Sequence, residues 1–224
     1  MFGSQLRAQR RIFAGFPLNR PRQSRRTVGG TLVELRARAE LGGGQEADYG
    51  SVMNVRILTL LSAIAVAAVL RLVPHPPNFT PIGAMALFSG AYLGRRGAIA
   101  LVAPLGALFI SDLVLGFYHG MATVYFSTAL VVLIGWLALQ KKSPLRIGAS
   151  AIASSILFFV LTNFGMWLSS GFYPRTLAGL EACYIAAIPF FQNTVAGDLL
   201  FSALLFGGFA LLERKVPALR LKAI

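Results

Sequence analysis

From Asn54 onward the chain is a succession of long apolar runs separated by only a few polar residues, and this limits the fold more than any other feature. A bilayer crossing by a helix needs roughly 20 mostly apolar residues. Six such runs are placed at 55–73, 81–95, 97–117, 121–140, 147–169 and 191–212, with short connections. The expected fold is all-α: a polytopic membrane protein in which six transmembrane helices form one compact bundle over residues 53–224. Composition points the same way. A chain of 224 residues that is 56% hydrophobic and 13% charged, with a mean hydropathy of +0.67, is too apolar for an ordinary soluble domain.

The formal charge of +13 is unevenly distributed, since residues 1–53 hold nine arginines and four acids. The imbalance is therefore no signal for nucleic acid. Residues 1–52 use only Arg, carry no acid before Glu34, and include the glycine run at 42–44; they are expected to be an Arg-rich extension without a packed core. Met53 opens MNVRILTLLSAIAVAAVL as a membrane-protein start would, so it is expected to be the true initiator, with an organelle transit peptide as the competing reading. Cys183 is the lone cysteine, which excludes an intrachain disulfide and a paired-cysteine redox or metal site.

Basic residues are retained on the cytoplasmic side and so set orientation. One set of connections holds Arg56, Arg95, Arg96, Lys141, Lys142, Arg146, Arg214, Lys215, Arg220 and Lys222, whereas the other holds Arg71 and Arg175. Ten against two places both termini in the cytoplasm, with six crossings of a bacterial inner membrane. Trp136 and Trp167 fall near segment ends, as interfacial aromatics do. The loops expected outside are VPHPPNFTP, FYHGM and SGFYPRTLAGLEACYIAAIPFF, rich in Pro, Gly, His and aromatics.

Charged groups within a bilayer are costly unless paired or hydrated, so each needs a reason. Asp112 lies about 7 Å below the outer end of the third segment, Asn163 about 9 Å below that of the fifth, and Asp198 about 10 Å inside the sixth, at 1.5 Å per residue. Agreement in depth makes these three, with His75, Asn78, His119, Trp167, Gln192 and Asn193 around them, the candidate lining of an external small-molecule pocket. The structural alternative is that each polar group serves as helix-to-helix glue.

Other chemistry has less support. His75 and His119 have no cysteine or carboxylate at ligand spacing, so no metal site is expected. Ser111 has no histidine at helical spacing and no nucleophile elbow around it, and no phosphate-cradling glycine loop is present. The chain is read as a non-enzyme without a cofactor. Ala63 and Ala67 share one face of the first segment, where small side chains admit another helix or simply serve internal packing.

Taken together, RLVPHPPNFTPIGAMALFSGAYL, LFISDLVLGFYHG, TNFGMWL and PFFQNTVAGDLLFSALLFG resemble an uncharacterised bacterial six-helix membrane family, which in turn is similar to the substrate-binding (S) component of energy-coupling factor transporters. The resemblance spans residues 56–212. It implies capture of a vitamin-like solute or metal from outside, followed by reorientation against a transmembrane coupling subunit driven by cytoplasmic ATPases. By position it implies that residues 74–80 cover the site and that Ala63 and Ala67 meet the coupling subunit. Two other classes compete: a membrane scaffold whose polar residues pair internally, and an ion-coupled carrier using Asp112 and Asp198.

Overall fold

The computed structural model describes residues 55–220; the expectations for residues 1–52, Met53 and Lys222 fall outside them. Within the described residues there are six α-helices and no strand: α1 (Val55–Leu70), α2 (Ile82–Leu93), α3 (Ala98–Leu115), α4 (Met121–Ala138), α5 (Pro144–Ser169) and α6 (Leu177–Lys215). Four of them, α3 to α6, are long and apolar enough to cross a membrane. Their outer faces carry large apolar side chains such as Val114, Leu137 and Leu211, all well exposed, which is the surface hydrocarbon requires.

Local chemistry fixes the ends of the longer helices. Ser143 caps α5 by accepting a hydrogen bond from the Arg146 N–H at 3.3 Å, with Pro144 at the first helical position, where no N–H is needed. Thr176 caps α6 through the Gly179 N–H at 3.2 Å. This start corrects the expectation that residues 170–191 form a loop: α6 begins at Leu177 and runs 39 residues, or about 58 Å.

The centre of the bundle is α2. Of its 12 residues only Ala91 and Tyr92 escape full burial, and it packs on α3, α4, α5 and α6. Glycine makes the contact with α4 possible. A Cβ on Gly90 would lie 2.0 Å from the Val132 carbonyl oxygen, and one on Gly135 would lie 2.3 Å from that of Leu87. Only backbone without side chains fits at such a crossing.

Ala63 and Ala67 are absorbed in the same way. Ala67 is 2% exposed in the chain's own core and Ala63, partly buried, packs against it, so this small face meets neighbouring helices of the bundle.

At 12 residues α2 is about 18 Å long, against roughly 30 Å of hydrocarbon. The chain therefore enters the bundle before the helix begins. Phe79 and Thr80 are half-buried, the Phe79 ring lies 5.6 Å from that of Phe201 on α6, and Gly197 leaves room for the backbone of Phe79 and Thr80. The PPNF stretch makes this descent through a tight turn. The Phe79 N–H donates to the Pro76 carbonyl at 3.0 Å, with Pro77 first in the turn and Asn78 second at φ 65°. Proline followed by a residue that tolerates positive φ is the chemistry of a type II turn.

Candidate functional site

Where the chain enters ahead of α2, a cavity of about 360 Å³ opens. Its floor is Ile82 and Gly83 of α2. One wall is Phe158, Phe159, Thr162, Asn163 and Met166 of α5, another is Thr194 and Asp198 of α6, and Val124 of α4 closes a third side. Arg71, Asn78, Thr80 and Tyr118 come from the connecting segments.

Two buried carboxylates flank the cavity in different ways. Asp112 on α3 is fully buried and lies behind the lining. Its Oδ1 accepts from Arg71 Nη1 at 2.5 Å and its Oδ2 from the Tyr125 hydroxyl at 2.9 Å. The same Arg71 nitrogen donates to Ser111 Oγ at 2.5 Å. Arg71 thus fronts the cavity while its charge is neutralised from behind.

Asp198 lines the cavity itself. The Ser155 hydroxyl donates to its Oδ2 at 2.7 Å and the Ala84 N–H also donates to it. Pro81 supplies no side-chain cap for α2, so a carboxylate from another helix takes one of the N–H groups that every helix start leaves open. Gly83 allows the approach: a Cβ there would lie 2.3 Å from Asp198 Oδ1.

Tyr118, in the connection after α3, has its hydroxyl pKa raised above the usual tyrosine range. Burial is the main cause and the Asp112 carboxylate adds to it, while Arg71 opposes them. The phenol is therefore a neutral donor and acceptor at the rim.

Of the residues expected at the site, Asn78, Asn163 and Asp198 line the cavity. Asp112 reaches it only through Arg71. Asn193 holds the entering loop, donating through Nδ2 to the Pro77 carbonyl at 3.0 Å. Trp167 ties down the α5–α6 turn through Nε1 and the Pro174 carbonyl at 3.0 Å. His75, His119 and Gln192 are exposed and outside the lining, and His75 bonds only to the carbonyl of Pro76 among the described residues. Sequence reasoning counted Arg71 only toward orientation and overlooked Tyr118, Thr162 and Thr194; a basic residue at the mouth of a proline-rich loop was the available signal for Arg71.

A protein-family profile described as "Family of unknown function (DUF6580)" matches residues 51–219. No curated protein and no solved structure matches the chain.

Proposed function

We propose, for a chain that belongs to the family of unknown function DUF6580, a role as a membrane-embedded subunit that binds a small solute and takes part in its transport. The observation that supports this reading is the cavity at the start of α2, where one buried helix terminus, an arginine and a carboxylate meet in a volume of about 360 Å³. Cavities that bring a helix terminus together with a few convergent polar side chains suit solute recognition, because those groups fix the orientation of a guest. In this reading all six helices cross a bacterial inner membrane, both termini are cytoplasmic, and the cavity faces outward beneath the loop at residues 74–80. Energy would come from outside the chain, through a transmembrane coupling subunit and cytoplasmic ATPases of the energy-coupling factor kind.

The test is native mass spectrometry of protein purified in detergent. A bound small molecule is expected in the native protein and is expected to be lost in Thr162→Phe, which fills the cavity, with the melting temperature showing that the variant folds. A native protein that is consistently empty and gains no stability from any solute sinks the reading. It would leave the scaffold alternative, which the internal pairing of Asp112 with Arg71 and Tyr125 favours.

A further inference from the structure

We infer that the cavity selects organic cations, with the Asp198 carboxylate as their counter-ion. This rests on the cavity being a solute site and adds the class of solute. The argument starts from charge balance around two carboxylates that are both almost completely buried, Asp112 at 0% exposure and Asp198 at 3%. Asp112 has a guanidinium at 2.5 Å and a phenol on its other oxygen, so its charge and its lone pairs are both satisfied.

Asp198 has donors but no counter-charge. Its partners are the Ser155 hydroxyl and the Ala84 N–H, and among the described residues no Lys, Arg or His nitrogen comes within ion-pair distance of it. Neutral donors satisfy hydrogen bonds without cancelling a charge, and a helix N-terminus is equivalent to about half a positive charge. A buried carboxylate without a full counter-ion is strongly disfavoured, so it either takes up a proton or draws a cation. A cation has one open approach to it, the cavity that Asp198 lines.

The rest of the lining suits a cation. Phe158 and Phe159 border the same space, and aromatic faces attract ammonium groups. Thr162 and Asn163 add neutral polarity. Arg71 does not turn the site toward anions, because its charge is already held by Asp112. The volume lies at the small end of the range for solute pockets, which favours a compact amine over a large cofactor.

The experiment pairs cations with neutral isosteres on the full-length detergent-purified protein: butylammonium against butanol, choline against its carbon isostere dimethylbutanol, and butyrate as the anionic control. Each cation is expected to bind at least about tenfold more tightly than its isostere, a difference of about 1.4 kcal/mol. The gap should close in Asp198→Asn, which keeps the side-chain shape and an acceptor for Ala84. Isosteres or butyrate binding as tightly as the cations in the native protein would overturn the cation assignment while leaving the solute site standing. Absence of binding by every probe also overturns it, and the co-purified molecule then judges the solute reading independently. Should Asp198→Asn fail to fold, a hydrophobic carbodiimide on the native protein decides the matter. Choline must slow labelling of Asp198 where dimethylbutanol does not, and equal protection defeats the inference.

Discussion

Two arginines bracket α1, and each meets a carboxylate from a distant helix, but in different company. Arg56 donates through Nη1 to Glu213 Oε1 at 2.5 Å and to the Leu219 carbonyl, with its guanidinium 5.1 Å from the centroid of Phe209 and 5.8 Å from that of Tyr92. Those rings interlock with Phe88 and Phe206 at centroid distances of 4.7–5.8 Å and fill that end of the bundle. At the other end Arg71 makes the same kind of ion pair with Asp112, but its outer side faces a cavity. The same electrostatic bond therefore serves as a fastening where aromatics pack over it, and as a wall where space is left beside it. What distinguishes the two ends is the neighbouring volume, not the pair.

The largest effect is expected at the Arg71 end. Removing one partner of a fully buried pair leaves the other charge uncompensated, which costs about 3–5 kcal/mol. Asp112→Asn should therefore lower unfolding stability in detergent micelles by that amount, and Arg71→Met combined with Asp112→Leu should recover most of it. A double variant no better than the single would mean that the pair does not stabilise the fold as a unit. Next is Gly83→Ala, whose methyl would enter the space of the Asp198 carboxylate at 2.3 Å. Overpacking there is expected to cost about 1–3 kcal/mol. It should also weaken solute binding while leaving the aromatic end intact, as Trp and Tyr fluorescence would report.

Arg56→Met probes the contrast from the other side. Glu213 is 27% exposed on its side chain, so the pair is worth little by itself, and the ring contacts add a cation–π contribution. The expected loss is about 1–2 kcal/mol, combining a partly buried pair with cation–π attraction. A loss equal to that of Asp112→Asn would erase the distinction between the two ends.

These expectations also show which parts of the molecule can be read from a one-dimensional chain. Helix depth follows from rise per residue, so Asn163 and Asp198 could be brought to one level from sequence spacing alone, and both line the cavity. Pairing across the bundle does not follow from spacing. Nothing periodic links Arg71 to Asp112, 41 positions away, and Arg71 read only as an orientation signal. Small faces have the same limit. Ala63 and Ala67 announce a close helix approach without saying whose helix, and here it belongs to the same chain. The early start of α6 was legible in principle, since Thr176 stands where a capping hydroxyl should, but Gly, Cys, Tyr and Pro189 made the next turns look like loop.

The smallest expected effect concerns Lys142, at the aromatic end. The residue is exposed, yet its ammonium lies 4.7 Å from the centroid of Tyr92. Burial of that tip lowers its pKa below the ordinary 10.5, and the Arg56 charge adds to the shift while Glu213 opposes it. A lowered folded-state pKa contributes stability that is present above 10.5 and is lost as pH falls through the lowered value, so at neutral pH the charge is a cost set against the ring contact. Lys142→Met removes both, and the net change at neutral pH should stay within about 0.5 kcal/mol. As pH rises toward 10.5 the native protein should gain on the variant, because the native lysine sheds its penalty and the methionine has none to shed. Parallel melting curves across that pH window check the sign. A variant that gained on the native protein would place the ammonium in a favourable charge environment, making Lys142 part of the fastening around Arg56 rather than a cation tolerated at its edge.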